Sequence, residues 1–300
     1  MSEQSSAGVN AGDSARITRE YFDSLLVELR TIDSVKASTE MELWGETFAT
    51  PVMVAALSGL NKTRPGGMVD TARGAAAAGA VMWTGIGSEA ELEALIATGA
   101  KTVKIIKPYA DRDLIFRKLE HAEKSGVIAV GMDTDYVFGG KNKRGFAMEY
   151  PVSPKTLDDI RSFVRATKLP FILKGILSEQ DARKALEVGA GGIVVSHHGG
   201  VLDYAVPPLK ILPRIVKVID KKIPVFVDCG ITRGMDAFKA LALGATAVSV
   251  GRAVIAGLSS GGADGVQEVL EDITGELQWA MSLTGSCDTT HIDPEVIWRR

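Results

Sequence analysis

The sequence predicts an α/β protein of the (β/α)8 class, a TIM barrel, on three observations. Eight short apolar runs recur along the chain. Segments of helical composition separate them at a spacing of roughly 20 to 35 residues, the pattern of alternating strands and helices. The chain has 300 residues, close to the ~250 usual for such a barrel, so no second domain's worth of sequence remains. An open doubly wound sheet is the structural alternative, and the count of eight argues against it.

The runs are residues 51–57, 80–85, 101–107, 126–133, 169–175, 191–197, 223–229 and 245–251. Most are apolar at consecutive positions, as strands covered on both faces require. Residues 67–78, 88–97, 111–124, 154–167, 178–187, 208–219 and 233–243 have helical spacing, and 264–283 reads as the eighth helix. Gly79, Gly99, Gly126, Gly189 and Gly244 follow several of these segments. Glycine takes the left-handed backbone that closes a helix, so they mark stops. Ahead of the first run, Tyr21, Leu25, Leu26 and Leu29 recur at helical spacing and predict a helix over 16–29. Residues 32–48 read as an extended lead-in with short-strand character. Residues 1–14 are expected to be a flexible tail on a single domain spanning 15–300, whose last residues pack on the outside.

Composition excludes several functions. Hydrophobic residues make up 46% of the chain and charged ones 24%, with a net charge of -3 and the two signs interspersed. That balance points away from nucleic acid and from membrane surfaces. No apolar run approaches the ~20 residues that span a bilayer. Cys229 and Cys287 are too few and too far apart for a disulfide framework or a zinc site, so no metal is expected. The N-terminus lacks a basic-then-apolar signal pattern. A reduced, cytoplasmic setting is the simplest expectation.

Barrel chemistry sits where strands end and loops begin. The strand ends offer Ser58, Asn61, Thr84, Ser88, Lys104, Lys107, Asp133, Thr134, Lys174, His197, His198, Asp228, Arg233 and Arg252. The sixth run is the most pointed of these. Gly191-Gly-Ile-Val-Val-Ser-His-His-Gly-Gly200 delivers two imidazoles to a rim where glycine lets backbone come close. Asp228-Cys-Gly-Ile-Thr-Arg-Gly234 follows the seventh run, and Gly251-Arg252 the eighth. Barrels often bind phosphate between these two loops, because glycine exposes N–H groups, a helix start favours negative charge and arginine adds a forked donor. Arg233 and Arg252 read either as phosphate ligands or as surface ion-pair residues. Lys174, inside an otherwise apolar run, reads as the partner of an electron-rich cofactor ring or as half of a buried salt bridge.

These residues carry a family resemblance. Ile172-Leu-Lys-Gly-Ile176, Ser196-His-His-Gly-Gly200, Val227-Asp-Cys-Gly-Ile231 with Arg233-Gly234, Phe238-Lys-Ala-Leu-Ala-Leu-Gly-Ala245 and Val250-Gly-Arg252 resemble motifs of the FMN-dependent α-hydroxy acid oxidases and dehydrogenases. The resemblance is strong over 170–285 and traceable back to about Tyr21. It implies FMN as cofactor. Lys174 would face the flavin ring. Ala55, Ala56, Ser88, Thr134 and Ser196 would line it. Asp228, Gly230, Arg233, Gly251 and Arg252 would hold the ribityl chain and phosphate. His198 would be the base that accepts a proton while two electrons pass to the flavin, as hydride or through a carbanion. Asp133 would orient His198, and His197 would line the substrate pocket. A homo-oligomer, a tetramer in the family, is implied as well.

The chain departs from the family on the substrate side. The arginine that follows the family's His-Gly-Gly is Val201 here, and the glutamine and tyrosine of the third strand are Ile105 and Lys107. The loop after the fourth strand, 135–153, is short, and the family's N-terminal segment with a second substrate tyrosine is expected to be missing. Valine cannot replace a bidentate carboxylate clamp. Lys107 or Lys104 would be a substitute cation, or each a solvated strand end. Alternation along the strand turns Lys107 and Ile105 one way and Lys104 the other. Two readings follow. The first is an FMN oxidoreductase acting on a hydroxyl-bearing small molecule other than plain glycolate or lactate. The second is an FMN-dependent isomerase, similar to type 2 isopentenyl-diphosphate isomerases, or a flavin-binding protein that does not oxidise.

Overall fold

The structure is a computed structural model that describes residues 12–138 and 149–300. Three short strands open the chain after helix α1 (Gly12–Ser24): β1 (Leu25–Val27), β2 (Met41–Leu43) and β3 (Glu46–Phe48). Eight more follow: β4 (Val52–Leu57), β5 (Met82–Thr84), β6 (Thr102–Ile106), β7 (Ala129–Asp133), β8 (Phe171–Ile176), β9 (Gly192–Val195), β10 (Val225–Val227) and β11 (Ala247–Val250). The eight pair in parallel and in sequence, and β11 returns to β4, which closes the barrel. Helices α2 (Gly67–Ala77), α3 (Glu89–Ile96), α4 (Arg112–Ser125), α5 (Leu157–Arg165), α6 (Glu179–Glu187), α7 (Pro208–Ile219), α8 (Gly234–Ala242) and α9 (Arg252–Leu283) surround it. The predicted (β/α)8 architecture is therefore present, strand for strand. Among the described residues, no helix is long and apolar enough to cross a membrane.

Two apolar layers hold the barrel. Inside it, Met53, Val81, Trp83, Val103, Ile105, Ala129, Ile172, Val194, Phe226 and Ala247 pack together. Trp83 meets Phe226 edge to face at 5.2 Å between centroids, a geometry that aromatic pairs favour. Outside it, alternate strand residues such as Val54, Met82, Val130 and Leu173 pack against the helices. The period-2 alternation of a strand divides its residues between the two layers.

Three segments differ from their sequence expectation. The helix predicted over 16–29 starts at Gly12 and stops at Ser24. Leu25, Leu26 and Val27 instead pair antiparallel with β12 (Ile297–Arg299), so tertiary pairing overrides helical spacing. Of the expected tail, residues 1–11 lie outside the described residues. Residues 12–14 are helical, and the buried Ser14 hydroxyl donates to the Leu202 carbonyl at 2.7 Å. The lead-in forms a β2–β3 hairpin around Trp44 and Gly45, both at positive φ, the backbone that a two-residue hairpin turn requires. Its Met41, Leu43 and Phe48 join the inner layer and plug the bottom of the barrel. The last helix begins at Arg252 rather than 264, and is interrupted at Gly262, whose φ of 63° and ψ of -135° leave the helical region.

Two register shifts mark the opposite, C-terminal face. One lies between Val54 and Leu57 on β4, around Ala55 and Ala56. The other lies between Lys174 and Ile176 on β8, at Gly175 with φ +99°. Such irregularities re-aim neighbouring side chains, and they cluster at active sites.

Candidate active site

A cavity of 490 Å³ opens at that face, within the range of small-molecule sites. Ala55, Ala56 and Leu57 from β4, Lys174 from β8, and His197 and His198 after β9 line one part of it. Asp228, Gly230 and Thr232 after β10, with Gly251 and Arg252 after β11, line another. Helix α1 adds Thr18 and Arg19.

A buried charge cluster organises the centre. Asp133, at the end of β7, faces Lys107 at 2.6 Å and Lys174 at 3.0 Å, and Lys174 lies 3.6 Å from Asp228. Burial disfavours charge on Asp133, but Lys174 and Lys107 outweigh it and hold the carboxyl well below its ordinary range. Burial likewise works against Lys174, and Asp133 and Asp228 overcome it, keeping the ammonium protonated above the usual lysine range. Lys174 is thus both an ion-pair partner and a fixed positive charge on the cavity wall. Lys107 and Ile105 do point into the barrel, and Lys104 the other way. Neither lysine is a solvated strand end, for both are buried. The Lys104 ammonium donates to the Gly85 carbonyl, and burial pulls its pKa down to about 8.

The loop after β9 sets the histidines. His198 has φ 50°, and Gly199 and Gly200 are also at positive φ, so the chain turns sharply. The Ser196 hydroxyl accepts the His198 N–H at 3.0 Å and braces this turn, a structural task in place of the flavin-lining one expected. His198 Nδ1 lies 2.8 Å from Asp135 Oδ1 and 3.7 Å from Asp133. The latter is beyond hydrogen-bond range, so Asp133 does not orient the imidazole directly as expected. The Tyr136 ring stands 5.5 Å from the His198 ring, with the Lys107 ammonium 4.7 Å from its centre. His197 turns to α1, where Nε2 pairs with the Thr18 hydroxyl at 2.9 Å, and burial lowers its pKa. It borders the cavity while tying the loop to the helix. Val201 is partly exposed beside this turn, followed by exposed Leu202 and Tyr204.

The phosphate end divides the two predicted arginines. Arg252 lines the cavity and makes no ion pair with any described residue. Arg233 turns away to Glu276, which also accepts the Gly234 N–H at 2.7 Å and caps the start of α8. The sequence placed it one residue wrongly, since Thr232 is the neighbour that lines the cavity. Ser88 is likewise displaced: its hydroxyl accepts the Glu91 N–H and caps α3. The hydroxyl at the end of β5 is Thr84, whose buried Oγ1 has no partner among the described residues. Thr134 donates to the Lys174 carbonyl at 2.9 Å, which fixes the backbone beside the ammonium.

Sequence reasoning missed the part that Asp135, Tyr136, Cys229 and α1 play in the site. Cys229 stands at positive φ where the family motif has glycine; its thiol donates to Asp228 at 2.9 Å and is pushed up to about 12 by burial and that carboxylate. Helix α1 lies on Gly230, where a Cβ would come within 2.9 Å of Phe22. Arg19 grips Asp236 with two bonds and reaches the Gly230 carbonyl. The N-terminal segment therefore roofs the site. The loop expected over 135–153 includes residues 139–148, which lie outside the described residues.

Comparison with known proteins agrees with this geometry. The family model of the FMN-dependent dehydrogenases matches residues 3–157 and 152–299. A 2-hydroxyacid oxidase of Dictyostelium discoideum is 32% identical over 306 residues, covering 91% of this chain and 79% of the relative. A peroxisomal (S)-2-hydroxyacid oxidase of Arabidopsis thaliana is 33% identical over 295 residues, covering 86% and 80%. A crystal structure of mandelate oxidase with (S)-2-phenylpropionate superposes with a TM-score of 0.89 at 33% identity, covering 98% of this chain and 91% of that one.

The residues present fit FMN. A Cβ on Gly251 would touch Leu57 at 3.6 Å and Ala55 at 3.7 Å, so the bare backbone there lies against the part of the cavity wall that β4 supplies. The unpaired Arg252 suits the phosphate, and the buried Lys174 cation suits a ring that gains negative charge on reduction. Lys174, Ala55, Ala56, Asp228, Gly230, Gly251 and Arg252 line the cavity and would be the residues to hold it. On this evidence the chain belongs to the FMN-dependent dehydrogenase family and is an FMN-dependent oxidoreductase acting on CH–OH groups.

Proposed function

We propose that the protein oxidises a 2-hydroxy compound other than plain glycolate or lactate, with His198 as the base. One observation carries the reading: His198 pairs through Nδ1 with a carboxylate, at the rim of a cavity that also presents the Lys174 ammonium. A carboxylate partner assigns the ring proton to Nδ1, which leaves Nε2 as acceptor. Oxidation of CH–OH to a carbonyl removes two electrons and two protons. His198 Nε2 takes one of those protons, and Asp135 and Asp133 face the imidazolium that results. FMN, when bound, would accept the two electrons and the other proton. Lys174 places positive charge on the cavity wall where the reduced ring needs it.

The substrate preference follows from the cations. Val201 stands where family members carry arginine. Lys107 and Lys174 are both committed to Asp133. A carboxylate entering beside His198 would therefore meet no uncommitted cation among the described residues. Exposed Val201, Leu202 and Val206 follow the histidine turn in sequence and make that loop apolar rather than cationic. The same absence favours a second reading, a redox-neutral FMN enzyme of the isomerase type or a non-oxidising flavin protein. A small-molecule substrate, a homo-oligomer and a cytoplasmic setting remain part of the proposal, by resemblance and composition.

His198→Ala separates the readings. The variant should keep its yellow flavin and reduce it about 10²–10⁴-fold more slowly under anaerobic mixing with substrate. Reduction at an undiminished rate would remove His198 from the role of base.

A further inference from the structure

We propose that Asp135, rather than Asp133, is the positioning residue that fixes the tautomer and orientation of His198. The inference deepens the reading of His198 as base and rests on it for its catalytic consequence. It is carried by the distribution of partners between two neighbouring carboxylates.

Asp133 is turned to two lysines, although its Oδ1 makes no hydrogen bond among the described residues. Its Oδ2 accepts from Lys107 at 2.6 Å, and its Oδ1 faces Lys174 at 3.0 Å. It balances two buried ammoniums, and the imidazole stands 3.7 Å away. Among the described residues Asp135 has no lysine or arginine partner in hydrogen-bond range; its Oδ1 meets His198 Nδ1 at 2.8 Å, and its buried Oδ2 has no partner. The approach is built into the backbone. Gly175 sits at φ +99° on the β8 irregularity, and a Cβ there would lie 2.4 Å from the Asp135 Cγ. The missing side chain is the space that Asp135 fills. The remaining faces of the imidazole are defined by the Tyr136 ring and by the turn that Ser196 braces. Removing one of two hydrogen-bonded partners in such an arrangement frees the ring to take the other tautomer, in which Nε2 carries the proton and cannot accept one.

The test is the tautomer itself, read from the 15N shifts of His198 in the FMN-loaded protein at a pH where the ring is neutral. Wild type should show Nδ1 protonated. Asp135→Asn should lose that preference and slow anaerobic flavin reduction about 10²–10⁴-fold while retaining FMN. Asp135→Glu should restore the tautomer in part. Asp133→Asn should leave the tautomer unchanged. An unchanged tautomer in Asp135→Asn overturns the proposal, as does a larger change in Asp133→Asn. Should Asp133→Asn fail to fold, Asp135→Asn decides alone. The tautomer does not depend on turnover. A positioning effect in a protein that oxidises no hydroxy compound would refute the proposed function and leave this inference standing.

Discussion

The two halves of the cavity are built by different means. The phosphate side, after β10 and β11, depends on backbone, with Gly230 under α1 and Gly251 against Ala55, and on Arg252, which makes no ion pair with any described residue. The substrate side, at the ends of β6, β7, β8 and β9, depends on side-chain pairings between strands: Lys107 and Lys174 with Asp133, His198 with Asp135. The first half follows the family motifs closely. The second has a valine where the clamp arginine would be and a lysine in place of a tyrosine. A backbone cradle tolerates little change, because its shape is the site. A set of charge pairs can be exchanged as a set, provided each buried charge keeps a partner. That difference is how one barrel keeps its cofactor chemistry while its substrate pocket is rebuilt.

The comparison breaks most severely at Asp133. Asp133→Ala leaves the buried Lys107 ammonium without its carboxylate and Lys174 with Asp228 alone, and should cost about 3–5 kcal/mol in denaturant unfolding. A loss below about 1 kcal/mol would mean the cluster is not the keystone of the substrate side. On the phosphate side, Arg252→Ala should weaken FMN binding about 10- to 100-fold by titration, the worth of a charge-assisted bond. A change of less than twofold there would return the phosphate to backbone alone.

Lys104, which points away from the barrel interior, is a control outside the cavity and is read by pH. Its pKa is about 8 in the fold against 10.5 when unperturbed. Between those values the unfolded chain holds the proton that the folded chain has released, so stability rises with pH across that window. Lys104→Met should flatten the rise and stabilise the protein at pH 7 by about 1–3 kcal/mol. An unaltered slope would show that Lys104 is solvated. Arg233→Ala should do least. It removes an exposed pair with Glu276, worth less than about 1 kcal/mol, and should leave FMN affinity within about twofold.

The barrel was legible because each strand is a short apolar run bracketed by helical spacing and glycine stops. Leu25-Leu26-Val27 was not, since its strand character comes from a partner 272 positions away, Ile297 to Arg299. The phosphate side was legible where glycine and alanine carry it, and misread where a side chain had to choose. Arg233 and Ser88 have the right chemistry and point to Glu276 and a helix cap. His198 and Lys174 could be named from motif register. Asp135 could not, although Gly175 beside a lysine in a strand was a signal that something needed its space. Pairings between strands depend on register and stagger, which periodicity does not encode.

The most direct test is anaerobic mixing of the yellow protein with a panel that pairs 2-hydroxy acids with their amides and esters, following flavin bleaching. The account predicts reduction by at least one CH–OH compound, faster for neutral members than for glycolate or lactate. Val201→Arg should shift the preference back toward the acids. Fast reduction by glycolate or lactate in the unaltered protein, or no reduction by any compound, would contradict it.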